Sequence, residues 1–152
     1  MNCPICSWSP HNEDYLFVRE TPYWRICLAP NQSLLGRCVI HLKRHAGDLA
    51  DLNEDEWSDF SSVVKRVEKT LTSAFNATMF NWSCYMNHAY RENPPNPHVH
   101  WWAVPRYAQA VWFGERMFED PHFGNPYDHE RRLDLPRNLR DVIAEKIRET
   151  YV

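Results

Sequence analysis

Apolar and polar residues alternate with a period of two over several short stretches of this chain, which is typical of half-buried β-strands. The predicted strands are residues 15–18, which form a short apolar run bounded by polar residues, and then 24–28, 37–42, 77–85 and 98–104. In the second strand Trp24 would face the core together with Ile26 and Leu28. In the third, Ile40 would face the core, whereas His41 would point the other way, toward solvent or a sheet edge.

Between the third and fourth strands the apolar spacing changes to three and four, which predicts a helix. Asn53 is a good N-cap for it, and Glu56 three residues later completes a capping-box pair. Its apolar stripe would cover one face of a sheet and consists of Trp57, Phe60, Val63, Val64, Val67, Leu71 and Phe75.

The remainder of the chain predicts an irregular segment over residues 108–134 and then a second helix that starts at Pro136. The residues that would face inward from this helix are Leu139, Val142, Ile143 and Ile147. Three strands, a helix and two more strands, in that order, favour an α+β fold with an antiparallel β-sheet.

Composition narrows the function classes. The 152 residues suit one domain, and 17 Lys+Arg stand against 20 Asp+Glu, so we expect no nucleic-acid polymer as partner. No apolar run reaches the roughly 18 residues of a membrane span, and the start of the chain does not resemble a signal peptide. Five cysteines at low density fit a reducing compartment, so we expect a cytoplasmic protein without a membrane partner.

The most informative stretch is His98-Val99-His100-Trp101-Trp102. Because side chains alternate along a strand, His98, His100 and Trp102 would share one face, and Val99 and Trp101 the other. An isolated His-x-His pair is equally compatible with a half-buried strand that simply contains two histidines. The residues around this pair decide between such a structural strand and a functional histidine site.

The stretch 94–107 resembles the histidine triad (HIT) family of nucleotidyl hydrolases and transferases. That family carries His-x-His-x-His with apolar spacers, often followed by Pro-Arg, and Pro105-Arg106 follows here. Lys43-Arg44-His45, Asn81 and Asn87 continue the resemblance upstream. The third histidine is absent, and Trp102 stands in its place.

The resemblance implies an architecture. Residues 1–107 would form a HIT-like domain, an antiparallel β-sheet with a long helix packed on one face. Residues 108–152 would form a C-terminal helical extension packed on the same domain. Proteins of this family are commonly homodimers whose two sheets join edge to edge, so the resemblance also implies a homodimer.

The resemblance assigns the catalytic positions to His100 and His98. A neutral imidazole is a competent nucleophile when one ring nitrogen is bare and the other N–H is held by an acceptor. His100 would attack the α-phosphorus of a nucleoside phosphate, such as a dinucleoside polyphosphate or a nucleoside phosphoramidate, and form a covalent nucleotidyl-histidine. Contacts to the nucleotide and its phosphates are expected from Asn87, Asn81, Asn96, Asn31, Gln32 and Trp102.

Several of these polar residues have simpler interpretations. Asn31 and Gln32 are the nearest candidates for the ribose contact of the family, but they could equally make a turn. Arg91, Asn93 and Asn96 could replace the phosphate contacts that the family draws from a Gly-Gln segment, although Arg91 could equally be a solvated loop charge.

A Cys-x-x-Cys pair, Cys3 and Cys6, lies near the start of the chain. In a subset of HIT proteins two such cysteines bind zinc together with the histidine after the Lys/Arg pair and the first motif histidine. The resemblance therefore implies a closed structural Zn²⁺ site at Cys3, Cys6, His45 and His98. Free thiols or a redox pair are the alternatives, although a redox pair lacks the expected flanking strand and helix. The other cysteines are expected to be small core residues: Cys27, Cys38 and Cys84.

Trp102 leaves the activity open. An indole donates a hydrogen bond but cannot shuttle a proton. The chain could be a slower hydrolase, a transferase with another acceptor, or a catalytically impaired nucleotide-binding protein. A metal-dependent His-x-His enzyme, such as a cupin or a phosphodiesterase, would need further His, Asp or Glu ligands in the same pocket.

Overall fold

The computed structural model describes residues 3–152. Five antiparallel strands form the main sheet: β1 (Leu16–Glu20), β2 (Trp24–Leu28), β3 (Cys38–Leu42), β4 (Met79–Ser83) and β5 (His100–Arg106). Their order across the sheet is β1-β2-β3-β5-β4, so the histidine strand β5 lies inside the sheet and β4 forms one edge. The predicted α+β fold with an antiparallel sheet is confirmed.

Helix α1 (Glu54–Phe75) covers one face of this sheet. Its predicted capping box is present, since the Asn53 side chain accepts from the Glu56 N–H and the Glu56 carboxylate accepts from the Asn53 N–H. The ring of Phe60 packs between Trp24 and Trp101 at centroid distances of 4.9 and 4.8 Å. These contacts fix which face of β5 is core and which is opposite.

Just before β3, the backbone at Gly36 lies very close to side chains of α1. Its φ of +83° lies in the left-handed region, and a Cβ there would meet Leu71 Cδ2 at 3.0 Å. A larger residue would therefore be strained in its backbone and crowded against the helix. The turn delivers Arg37 to the start of β3.

The C-terminal part holds more structure than the sequence predicted. The segment expected to be irregular contains a hairpin of β6 (Val111–Phe113) and β7 (Arg116–Phe118), whose turn uses Gly114 at φ +60°. Helix α2 (Arg137–Thr150) follows, and two short 3-10 helices lie elsewhere, at Leu49–Asp51 and Asn87–Arg91. In the part of the chain described, neither long helix has the apolar length that a membrane crossing requires.

Helix α2 packs into the same core as the main sheet. Ile143, Ala144 and Ile147 are buried there, and the Arg148 guanidinium donates to the Phe17 carbonyl of β1. The expectation that Val142 faces inward is wrong, because its side chain is 55% exposed. Each helix residue is rotated by about 100° from the next, so Val142 and Ile143 cannot both face the core squarely.

His41 is a second correction. The sequence predicted that it faces solvent or a sheet edge, but it is only 4% exposed. Strand β3 lies between β2 and β5, and Tyr15 covers the His41 ring edge-on at a centroid distance of 6.1 Å. Burial lowers the pKa of His41 to about 3, with a further contribution from His100, so the ring is neutral near pH 7.

Candidate functional site

The sheet face opposite α1 brings the candidate residues together, and we call it the histidine face. On it His100 pairs across the strands with His41, and Trp102 pairs with Val39. Trp101 points the other way and packs against α1. The strand alternation predicted for His100, Trp101 and Trp102 is therefore present.

His100 is held in one tautomer by its own strand. Its Nδ1 lies 2.8 Å from the carbonyl oxygen of His98, and because a carbonyl only accepts, Nδ1 carries the proton and donates it. Nε2 is then the bare nitrogen. Burial lowers the pKa of His100 below its ordinary value, although the His98 carbonyl opposes this shift. The ring is thus a neutral imidazole with a free lone pair, as a nucleophile requires.

The His98 ring has the opposite orientation. It is 3% exposed, and its Nε2 lies 2.8 Å from the Leu42 carbonyl oxygen, so Nε2–H donates there. Its Nδ1 lone pair then faces Cys3 Sγ at 3.3 Å and Cys6 Sγ at 3.5 Å. In the usual arrangement of a metal-binding histidine, one ring N–H donates to a carbonyl and the other, bare nitrogen faces the metal. The His98 ring has this arrangement, with its bare nitrogen facing two thiols.

His45 completes this cluster. Its Nδ1 lies 3.5 Å from Cys6 Sγ, and its ring meets the His98 ring edge-on. Candidate ligand atoms from Cys3, Cys6, His45 and His98 all lie within 4.8 Å of one another, so the cluster can hold a metal ion. No other such group occurs among residues 3–152. The four residues that the resemblance grouped are therefore adjacent, and two thiols with two imidazoles suit tetrahedral zinc.

Arg44 fixes the loop that carries His45. Its Nε and Nη2 donate to the two carboxylate oxygens of Glu56 at 2.5 and 2.8 Å, while Glu56 also caps α1. The hydrogen bond from Arg44 lowers the pKa of Glu56 below its ordinary value. The start of the helix and the His45 loop therefore share one carboxylate.

Trp102 lies beside the nucleophile candidate and is covered in turn. Its ring is edge-on to His100, with centroids 6.2 Å apart. The guanidinium of Arg37 stacks on the indole at 4.5 Å, and Tyr127 lies 5.8 Å from the same guanidinium. The C-terminal extension thus reaches over the histidine face at this point.

A groove of about 350 Å³ runs between β4 and the 124–129 segment. The polar and aromatic residues that line it include Asn81, Ser83, Tyr85, Tyr127 and His129. Ser83 pairs with Trp102 in the sheet register, so the groove borders Trp102. Its walls combine rings with a few amide and hydroxyl groups, which is a common composition for small-ligand sites.

Arg106 anchors the extension to this groove. Its Nε and Nη2 donate to Asp120 at 2.6 and 3.1 Å, and its Nη1 donates to Asn81 Oδ1 at 2.9 Å. The Arg106 and Asp120 side chains are 2% and 1% exposed. Burial alone would raise the pKa of Asp120, but hydrogen bonds from Arg106 and the Tyr107 N–H lower it below its ordinary value.

Asp120→Asn is expected to lower the free energy of unfolding by about 3 kcal/mol, because it leaves the buried Arg106 charge without its partner. The lowered pKa means that this stability is present above the ordinary Asp value of 3.8 and is lost as pH falls through the lower folded value. Urea denaturation at pH 7 and at several acid pH values measures both effects.

The control is Asp134→Asn, which removes a surface pair with Arg132 whose side chains are 64% and 74% exposed. Its expected cost is about 1 kcal/mol or less. Equal losses in the two variants would contradict the anchoring role of Arg106.

Asn31 and Gln32 make a turn. The Asn31 Oδ1 accepts from the Ser33 and Leu133 N–H groups, and its Nδ2 donates to the Arg131 carbonyl. Gln32 is fully buried, and its side chain bonds only to backbone groups within residues 29–37. The alternative given by the sequence therefore describes them, and neither side chain is free to bind a ribose.

The other amide candidates lie on either side of an exposed connection. Asn81 lines the groove, Asn87 is exposed at the start of the Asn87–Arg91 3-10 helix, and Asn96 is half-buried shortly before β5. Asn87 has no side-chain hydrogen bond to any residue in the described chain. Arg91 and Asn93 are exposed in the same connection.

Arg37 and Tyr127 were missed as site residues by the sequence reasoning. Arg37 was noted only as the first residue of a strand, although alternation places it on the face of Val39 and His41, and hence on that of His100. The position of Tyr127 follows from the fold of the extension, for which the sequence held no signal.

Comparison with known proteins agrees with this geometry. No family model and no curated protein matches the chain. Among solved structures, a hypothetical histidine triad nucleotide-binding protein from Sulfolobus tokodaii is 19% identical with a TM-score of 0.69, covering 97% of this chain and 91% of that one. A histidine triad protein from Bradyrhizobium japonicum is 16% identical with a TM-score of 0.66, covering 95% of this chain and 98% of that one.

A Zn-bound histidine triad family protein from Mycobacterium smegmatis is 17% identical with a TM-score of 0.56, covering 88% of this chain and 81% of that one. The chain therefore has the histidine triad fold. This confirms the fold that the sequence resemblance implied. At sequence identities of 16% to 19%, the structural similarity is evidence for the fold alone.

Proposed function

We propose that this chain is a nucleotide hydrolase or nucleotidyltransferase that acts at the α-phosphate of a nucleoside phosphate through a covalent nucleotidyl-His100. The observation that carries the proposal is the His100 tautomer, with Nδ1–H donated to the His98 carbonyl and Nε2 bare. The histidine triad nucleotide-binding protein of S. tokodaii, which shares the fold, supports a nucleotide as ligand.

The proposed chemistry uses the histidine face. His100 Nε2 attacks the α-phosphorus as the bond to the leaving group breaks, and water or another acceptor later releases the nucleotide. The His98 carbonyl holds the Nδ1 proton while positive charge develops on the ring. Asn81, Asn87 and Asn96 are the proposed donors to the nonbridging oxygens, which need hydrogen bonds throughout.

Mass spectrometry after brief incubation with a panel of nucleoside phosphates tests this proposal. A nucleotidyl adduct that maps to His100 is the expected result. Binding without an adduct or turnover would instead identify a nucleotide-binding protein that has lost catalysis, the alternative that Trp102 keeps open. No binding of any nucleotide would contradict both.

Trp102→His is expected to raise hydrolysis of a nucleoside phosphoramidate by about 10-fold to 100-fold, because it supplies a group that can give a proton to the leaving nitrogen. Release of the nucleoside monophosphate measures the rate. Trp112→His is the matched control, since Trp112 is 66% exposed on the β6–β7 hairpin. An unchanged rate in Trp102→His would mean that proton supply does not limit this reaction.

We also propose that the Cys3, Cys6, His45 and His98 cluster binds one structural Zn²⁺. The donor set and the closeness of its atoms support this, as does the zinc of the fold neighbour from M. smegmatis. Bound there, the metal would tie the start of the chain to the His98 backbone. A metal content well below one per chain after gentle purification would contradict the proposal.

A homodimer in the cytoplasm completes the proposal. The backbone edge of β4 is unpaired in the described chain, and Met79 and Tyr85 beside it are 39% and 55% exposed. An open edge strand of this kind favours pairing with a second copy. Sedimentation equilibrium tests the dimer, and a monomer at every concentration would contradict it.

The proposed cytoplasmic location is supported by the five cysteines, which are all free thiols and therefore suit a reducing compartment.

A further inference from the structure

The histidine face holds three arginines, and two of them already have anionic partners. Arg106 pairs with Asp120. Arg25, which lies opposite His41, has Glu20 as an ion-pair partner at 3.9 Å, although its Nε makes no hydrogen bond, and it stacks on Trp8 at 4.3 Å. Arg37 differs from both, because its guanidinium makes no hydrogen bond or ion pair with any residue from 3 to 152.

Arg37 is nevertheless far from being a free surface charge. Its Nε is enclosed without an acceptor, and the guanidinium stacks on Trp102 with Tyr127 nearby. Enclosing a charge is unfavourable unless an opposite charge accompanies it. Arg37 is held by aromatic rings, has no carboxylate partner in the described part of the chain, and stacks on the same Trp102 that lies beside His100. We therefore expect its charge to bind an anionic group of the ligand.

The side chain that follows His100 on its own strand face, Trp102, supplies no proton to a leaving group. Trp102 has an N–H but no proton that it can transfer. His41, the other imidazole beside His100, is 4% exposed, so its charged acid form is disfavoured. An amine leaving group needs a proton as its bond breaks, whereas a phosphate group leaves as a stable anion, since its second pKa is about 6.

We propose that Arg37, held on Trp102, binds the departing phosphate group, and that the chain therefore cleaves phosphoric anhydrides of nucleotides in preference to phosphoramidates. This rests on the proposed His100 chemistry and adds the class of leaving group to it. Trp102, in place of a proton donor, serves as the platform for a cation.

The step balances without a proton donor. The bond from His100 Nε2 to the α-phosphorus forms as the bridging P–O bond breaks, and the electron pair leaves on the phosphate oxygen, where the Arg37 charge stabilises it. Water then attacks the α-phosphorus and gives its proton to solvent. The electron pair of the P–N bond returns to Nε2.

Three substrates separate this inference from the proposed function. The p-nitrophenyl ester of adenosine monophosphate has a leaving group that needs neither a proton nor Arg37, so its turnover reports on His100 alone. Diadenosine tetraphosphate and adenosine 5′-phosphoramidate then compare an anhydride with an amidate. The corresponding guanosine compounds are measured in parallel, so that a preference of the site for one base is not mistaken for a preference for one leaving group.

The wild type is expected to show kcat/KM at least about 100-fold higher for the anhydride than for the amidate. Arg37→Gln is expected to lose about 10-fold to 100-fold on the anhydride and to stay within about 3-fold on the nitrophenyl ester. Arg37→Lys keeps the charge without the planar stack and is expected to recover part of the loss.

Arg25→Gln is the matched control, because it removes another arginine that stacks on a tryptophan on the same face. It is expected to stay within about 2-fold of the wild type on every substrate, since its charge is already paired. Equal losses in both variants, or an equal loss of Arg37→Gln on all three substrates, would overturn the inference. So would equal wild-type rates on anhydride and amidate. No reaction of the nitrophenyl ester at all would overturn the proposed function as well.

Discussion

His100→Ala is expected to abolish the nucleotidyl adduct and to lower turnover of the best substrate by at least about 10⁴-fold. The loss is this large because the variant removes the atom that forms the covalent bond, and no other imidazole on the histidine face can replace it. His41 is buried against Tyr15, and the His98 nitrogens face Leu42 and the two thiols. Pre-steady-state release of the leaving group, with intact-mass detection of the adduct, measures the effect.

Two measurements make this result specific. Imidazole added to His100→Ala is expected to restore part of the turnover without an adduct on the protein, because it fills the space of the missing ring. His11→Ala, at an exposed position, is the control for an effect of any histidine substitution. A persistent adduct in His100→Ala would assign the nucleophile to another residue and refute the proposed mechanism.

Local patterns in the sequence were sufficient to predict the sheet and the long helix. The period of two in β2 and β3, the change of period after Asn53 and the Asn53–Glu56 capping box each depend on residues close in the chain. His41 and Val142 were placed wrongly because their burial depends on what packs from outside their own element. For His41 that is Tyr15 and the strand order, neither of which follows from the alternation of β3.

The candidate site was predictable to the same extent. Strand alternation predicted the shared face of His98 and His100, and the resemblance implied the grouping of His98 with Cys3, Cys6 and His45. The environment of Trp102 followed from neither, because it depends on a turn at Gly36 and on the path of the extension. The role of Arg106 as an anchor likewise became visible only with Asp120, fourteen residues later, in place.

His98 links the two proposed sites physically. Its ring nitrogen faces the thiols, while its backbone carbonyl holds the His100 Nδ1 proton at 2.8 Å. Ligands that hold the His98 ring in place therefore also restrain the residue whose carbonyl orients the nucleophile. This connection predicts that the metal cluster influences catalysis as well as stability.

Removal of the metal by a chelator is expected to lower the free energy of unfolding by at least about 4 kcal/mol, the linkage expected when free Zn²⁺ is about 1,000 times its Kd. Turnover is expected to fall at the same time, because the His98 ring loses its partner. Denaturant unfolding with and without added Zn²⁺ measures the first effect, and the rate on the nitrophenyl ester measures the second.

Cys6→Ser separates the metal from the thiol itself. Cys6 is exposed, so without a metal its replacement by serine is expected to change stability by about 0.5 kcal/mol or less. The variant should therefore match the chelated wild type and show no response to Zn²⁺, whereas Cys84→Ser, outside the cluster, should keep the full response. If Cys6→Ser with Zn²⁺ is as stable as the zinc-loaded wild type, the cluster does not bind a structural metal.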